Sequence, residues 1–124
     1  MTARPRRTGL RRLTKRAQFL DVARGPRAGR SGFTLQAVQA GHEEPGIGFT
    51  VTKKTGNSPE RNRIRRRLRA AARACDTQFQ TGYDYVLVGR RDALTLPFSK
   101  VLSDLSSAIA KVHARGGAPG TDRQ

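Results

Sequence analysis

The sequence predicts an α+β domain, an α/β sandwich with elements in the order α-β-β-α-β-α around a small mixed sheet. Three observations carry that expectation. Two stretches, 58–79 and 98–112, repeat apolar residues at the helical period. Residues 33–40 and 46–52 alternate at the strand period of two. Residues 83–88 are a nearly unbroken run of β-formers, which suits a strand covered on both faces. At 124 residues the chain is long enough for one domain with one modest core.

The elements follow in order. Residues 1–12 hold Arg4, Arg6, Arg7, Arg11 and Arg12 with Pro5 and Gly9, the composition of a disordered basic arm. Thr14 is placed to cap a short helix that runs to about Arg24. Its apolar residues form two partial stripes, Leu13-Ala17-Leu20 and Phe19-Val22-Ala23, and Gly25-Pro26 ends it. Residues 25–32 are rich in glycine and arginine and are expected to be a loop.

Phe33, Leu35 and Ala37 face one way on the first strand, and Thr34, Gln36 and Val38 the other. Gly41 to Pro45 is a turn. Ile47, Phe49 and Val51 then share one face of the second strand, opposite Gly46, Gly48, Thr50 and Thr52. The two strands lie at hairpin distance, so antiparallel pairing is expected. One sheet face is then bulky and apolar and needs a helix over it. The other is small and polar and suits the floor of an open groove. After Gly82, Tyr83–Val88 is the central strand. Thr95 is expected to cap a last helix whose stripe is Phe98, Val101, Leu102, Leu105, Ala108, Ile109 and Val112. Residues 13–115 thus make one domain, and 116–124, with Gly116-Gly117 and Pro119-Gly120, a disordered tail.

The middle helix carries the charge. Ser58 suits its N-cap, Pro59 its first position and Glu60 the positive end of its dipole. Ile64, Leu68, Ala71, Cys75 and Phe79 form one apolar stripe. At about 100° per residue, Asn62, Arg66, Arg69 and Arg73 fall opposite it, with Arg61 and Arg65 on one flank and Arg63 and Arg67 on the other. Such a helix docks through a narrow seam and presents cations elsewhere.

The whole chain has the same bias: 25 Lys+Arg against 9 Asp+Glu, a net charge of +16, and 20 of the cations are arginine. Arginine forks pair with phosphate and stack on bases, so nucleic acid is the expected partner. No constellation for protein catalysis is visible. His42 and His113 are isolated, Cys75 lies on the apolar stripe as a core thiol, and the acids are scattered. No Cys/His spacing fits zinc. One cysteine excludes an internal disulfide, and no apolar run approaches a membrane span of about 20 residues. The basic N-terminus lacks the apolar segment of a secretory signal. A cytoplasmic protein without membrane contact is expected.

Lys53-Lys54-x-Gly56-Asn57-x-x-x-Arg61-Asn62-Arg63-Ile64-x-Arg66-x-Leu68-Arg69 resembles the signature of the bacterial ribonuclease P protein subunit, often called the RNR motif. Gly-Asn followed four residues later by Arg-Asn-Arg-Ile is specific, unlike a bare charge run. The resemblance extends in order and spacing from about Leu13 to about Val112.

The resemblance implies a left-handed βαβ crossover, where the general rule would give a right-handed one. It implies that the catalytic RNA subunit, using Mg2+, hydrolyses precursor tRNA at the mature 5′ end. The protein supplies no catalytic side chain and no metal site, and no protein partner is expected. Docking of the RNA subunit is carried over to Lys53, Lys54, Asn57, Arg61, Asn62, Arg63, Arg65, Arg66 and Arg69. The single-stranded 5′ leader of precursor tRNA would lie between the small sheet face, the first helix and the arginine helix, against Phe19, Thr34, Gln36 and Thr50. Two positions depart from the family. A second aromatic often found one turn after Phe19 is Ala23, and a tyrosine common on the first strand is Gln36. A ribosomal protein with a structural role in binding ribosomal RNA is the alternative. It explains size and charge equally well but not the Gly-Asn/Arg-Asn-Arg constellation.

Overall fold

The structure is a computed structural model that describes residues 11–40 and 44–116. Its strands are β1 (Arg11–Arg12), β2 (Arg27–Gly29), β3 (Phe33–Gln39), β4 (Gly46–Thr50) and β5 (Tyr83–Gly89). Its helices are α1 (Arg16–Val22), α2 (Ser58–Ala74) and α3 (Phe98–Gly116), with short 3₁₀ turns at Lys53–Thr55, Asp76–Gln78 and Arg91–Leu94. The strands form one mixed sheet in the order β1-β4-β5-β3-β2.

The expected β3–β4 hairpin does not form. β5 stands between them, antiparallel to β3 from Phe33↔Gly89 to Gln39↔Tyr83 and parallel to β4 from Gly46↔Asp84 to Thr50↔Val88. Strands lie about 4.8 Å apart. A connection of six residues reaches far enough to step over one strand as easily as to turn back on itself. Linker length therefore allows both pairings. The most apolar strand takes the centre, where both its faces are covered, and β4, α2 and β5 make a crossover unit.

Two short edge strands were not expected. Arg27–Gly29 lies in the presumed loop yet pairs antiparallel with Thr34–Gln36. Arg11 and Arg12, assigned to the arm, pair with Gly46 and Ile47. The reason for the second is visible. Asp84 is buried on β5, and a buried carboxylate needs a partner; Arg11 supplies it at 2.5 Å. Residues 1–10 of the expected arm and 117–124 of the expected tail lie outside the described residues, as do His42 and Glu43.

Strand registers sort the sheet into two faces. Ala28, Phe33, Leu35, Ala37, Ile47, Tyr85 and Leu87 share the face covered by α2 and α3. Ile64, Leu68, Ala71, Ala72, Val101, Leu105, Ala108, Ile109 and Val112 close onto it and make the main core. Helix α2 comes so near β5 that a Cβ at Gly89 would stand 2.7 Å from Ile64 Cγ2. The other face carries Thr34, Gln36, Val38, Gly46, Gly48, Thr50, Asp84, Val86 and Val88. Among the described residues only α1 lies over it, in a small cluster of Leu13, Val22 and Val86 with Phe19, Val38 and Val88 against them.

Helix α1 corrects two expectations. Ala17 is exposed and Leu20 is 55% exposed, so the Leu13-Ala17-Leu20 stripe does not exist. Leu13 is buried but precedes the helix, and the packing pair is Phe19 and Val22, one turn apart. Thr14 is not the cap; Gln18 Oε1 accepts from the Thr14 and Lys15 amides at 3.0 and 2.9 Å. Thr95 does not cap α3 either. Its amide closes the preceding turn on Asp92, and the Pro97 carbonyl takes the first helical bonds from Lys100 and Val101.

Candidate nucleic-acid interface

Helix α2 starts one residue earlier than the Ser58 cap implied. Asn57 is the N-cap: its side chain accepts from the Glu60 amide at 2.9 Å, and Glu60 Oε1 accepts from the Asn57 amide at 2.9 Å. This reciprocal box satisfies two amides that a helix end leaves unpaired, and the three-residue spacing from Asn57 to Glu60 permits it. Pro59 stays in the first turn, where no N–H is needed. Glu60 is also gripped by Arg91, with bonds of 3.1 and 2.9 Å, while Arg91 donates to the Thr55 carbonyl at 3.0 Å. Arg91 and the Asn57 amide together hold the Glu60 carboxyl down at about 2. The turn bearing Lys53 and Lys54 is thereby fixed to the start of α2, and both lysines point out exposed.

The arginines divide by what they touch. Asn62, Arg63 and Arg66 are exposed, and Asn62 Oδ1 accepts from Arg65 at 3.1 Å. Arg69 lies over the Phe49 ring, 5.6 Å from its centre, a cation–π contact that orients the guanidinium at the β4 edge. Arg61 folds back on the Gly56 carbonyl at 2.7 Å and Ser58 Oγ at 3.2 Å. Arg67 is structural. It donates to the carbonyls of Ala93 and, at 2.7 Å, Leu96, pinning the β5–α3 connection to α2. Cys75 is buried, and burial raises its thiol.

The other four predicted residues come together on the open face. Thr34, Val88 and Thr50 form one row across β3, β5 and β4, and Gln36, Val86 and Gly48 form the next. Phe19 lies on Gly48; a Cβ there would stand 2.6 Å from two carbons of the ring. Phe19, Thr34 and Thr50 are half-buried and Gln36 is nearly covered. Sequence reasoning missed Val88, which floors the row between the two threonines, and Arg27. Register places Arg27 beside Gln36 on this face, and its guanidinium reaches the Ala23 carbonyl at 3.2 Å. Nothing local marked Arg27, because β2 is too short to show alternation.

The two sets do not share one groove. Helix α1 and helix α2 pack on opposite faces of the sheet. The expected wall of the small-face groove from the arginine helix is therefore absent, and Arg27 with α1 borders that face instead. Among the described residues no group of three or more His, Cys, Asp or Glu could hold a metal ion, and no helix is long and apolar enough to cross a membrane.

The family model described as Ribonuclease P matches residues 8–113. The ribonuclease P protein component of Ruegeria pomeroyi is 44% identical over 112 residues, covering 86% of this chain and 90% of its own length. That of Gluconacetobacter diazotrophicus is 44% identical over 108 residues, covering 85% and 93%. In fold the chain is similar to the RNase P protein of Staphylococcus aureus, with a TM-score of 0.68 at 24% identity over 82% of this chain and 95% of that one. It is similar also to the RNase P protein of Thermotoga maritima, with a TM-score of 0.68 at 24% identity over 77% and 92%. These matches support the first of the two expected functions and lend none to the ribosomal one. On this sequence, and with this sheet and these helices, the chain belongs to the ribonuclease P protein family.

Proposed function

We propose that the chain is the protein subunit of ribonuclease P, acting in tRNA 5′-end maturation. It binds the catalytic RNA subunit through α2 and the Lys53–Thr55 turn, and the precursor tRNA leader on the open sheet face. The observation that carries this reading is the division of α2. Ile64, Leu68 and Ala71 are locked into the core, while Asn62, Arg63 and Arg66 stand exposed along the same helix. Exposed guanidinium groups carried on a helix that cannot roll suit fixed RNA phosphates.

The chemistry belongs to the RNA subunit and its Mg2+. The protein lowers phosphate repulsion as two RNAs come together and holds the leader. Arg63, Arg66, Lys53 and Lys54 supply screened charge. Phe19, half-buried, offers part of its ring for an unpaired base to stack on, and Thr34, Gln36 and Thr50 offer hydrogen bonds. Ala23 in place of a second ring shifts this contact toward hydrogen bonding and charge, with Arg27 on the same face.

The test is reconstitution. The full chain is added to transcribed ribonuclease P RNA at low Mg2+, where the RNA alone is weak. Cutting of precursor tRNA at the mature 5′ end should rise sharply, and the chain alone should cut nothing there. No stimulation, or correct cleavage by the RNA-free chain, would refute the reading.

A further inference from the structure

An open pocket of about 520 Å³ lies away from both sets of residues described above. Gly29, Arg30 and Ser31 line it from the turn between β2 and β3, Arg90 and Asp92 from the stretch after β5, and Lys100 and Asp104 from the start of α3. Three separate elements thus bring three cations to one concavity.

The charges are not spent equally. Lys100 pairs with Asp104 at 3.0 Å, which settles the nearly buried carboxylate. Arg30 is held by two neutral acceptors, Ser107 Oγ at 3.1 Å and the Gly29 carbonyl at 2.7 Å. These bonds fix the guanidinium and leave its charge uncompensated. The Arg90 amide donates to the Gly32 carbonyl at 2.9 Å, tying β5 to the same turn, and its side chain is exposed. Among the described residues neither Arg30 nor Arg90 is in an ion pair. Asp92 is the lining carboxylate left over, an acceptor suited to a sugar hydroxyl.

Arg90 and Arg91 are neighbours with opposite tasks. Arg91 turns to Glu60 and Thr55 at the head of α2, and Arg90 lines the pocket. The β5–α3 connection thereby links the Lys53–Thr55 turn to a second basic concavity beside α3.

We infer that this pocket is a further RNA-backbone site, in which Arg30 and Arg90 take phosphates of one RNA strand. The inference rests on the proposed RNA-binding function. The strand belongs either to the RNA subunit or to precursor tRNA, and the test separates them. One guanidinium fixed on neutral acceptors, with the exposed Arg90 side chain across the same concavity, matches phosphate geometry better than lysines on a flat surface.

The full chain carrying Arg30→Gln and Arg90→Gln is compared with wild type in two arms across a salt series. One arm measures binding to transcribed ribonuclease P RNA. The other measures binding of precursor tRNA by the assembled holoenzyme. Loss of about tenfold in one arm is expected, with a slope of log affinity against log salt shallower by roughly 1.4–1.8, as two lost contacts require. The arm that responds names the strand. Unchanged affinity and slope in both arms would overturn the proposal. Ser107→Ala removes a brace but no charge and should change neither; equal loss there would also overturn it. Arg63→Ala is the control. If it weakens binding of the RNA subunit while the pocket variant is unchanged in both arms, the pocket fails and the proposed function stands; if neither variant changes either arm, both fail. Should the double variant not fold, Arg90→Gln alone carries the test at about half the slope change.

Discussion

The two faces of the sheet are covered unequally. One is sealed by α2 and α3, and Ile64, Leu68, Leu87 and Leu105 are there at 0–1% exposure. Among the described residues the other carries only the seven residues of α1, through Phe19 and Val22, and Leu13 just before it, and this leaves Thr34, Thr50 and Val88 partly open. A face sealed by 36 helical residues (17 in α2 and 19 in α3) makes a rigid base. A face with one short helix keeps a concavity. Small side chains on the open face are therefore not a packing fault. Gly48 holds the Phe19 ring in place of a larger residue.

The contrast can be broken most severely at Ile64. Ile64→Asp would bury an unpaired charge at a fully covered site between α2 and Gly89. Loss of the cooperative thermal transition is expected. A folded, soluble variant would show that the sealed face is not the core. Ile64→Ala should fold but cost about 2–5 kcal/mol by urea denaturation.

Arg63→Ala touches the same helix from outside and should leave stability within about 0.5 kcal/mol. Its expected loss is in RNA-subunit affinity, on the order of 1–3 kcal/mol, with a shallower salt dependence. Arg61→Ala should differ, since Arg61 braces the Gly56 carbonyl; some stability should go with the affinity. Wild-type affinity in the Arg63 variant would remove the helix from the interface.

Phe19→Ala tests the open face. Its ring is half-buried on Gly48, so a modest stability loss is expected. In addition, holoenzyme carrying it should bind precursor tRNA with a leader of several nucleotides more weakly, by ~1–3 kcal/mol for a lost stacking contact. Binding of a substrate with a single-nucleotide leader should barely change. Equal loss on both substrates would make Phe19 a packing residue only.

The smallest effect expected is at Glu60. Its carboxyl is lowered from the ordinary 4.5 to about 2, first by Arg91 and then by the Asn57 amide. The unfolded chain therefore binds the proton more readily. The contribution of the Glu60–Arg91 pair is complete above about 4.5 and fades as pH falls toward about 2. The stability gap between wild type and Glu60→Gln, followed by thermal melts, should close over that window. A gap independent of pH would show that the charge of Glu60 contributes nothing.

Much of the candidate interface was legible because it is local. Period two placed Thr34 and Gln36 on one face of a strand, and Gly48 and Thr50 on one face of another, whatever lay beside them. Period 3.6 placed Ile64 and Leu68 inward and Asn62 and Arg66 outward. The Gly-Asn…Arg-Asn-Arg spacing marked the head of α2, although the cap proved to be Asn57, through a side-chain exchange with Glu60.

Pairing across distance is settled by packing alone. Local pattern was enough to give two alternating strands and one apolar strand, and to say which side chains shared a face. It could not decide that β5 separates β3 from β4, since a six-residue link permits either arrangement. Arg11 was indistinguishable from its arm until Asp84, 73 positions away, was buried beside it. Arg67 and Arg66 are neighbours of one type, yet one pins the carbonyls of Ala93 and Leu96 and the other is exposed. Periodicity records how a residue is oriented about its own element. Whether that orientation meets a carbonyl, a carboxylate or water depends on which other element arrives there, and that is fixed by burial of the chain as a whole.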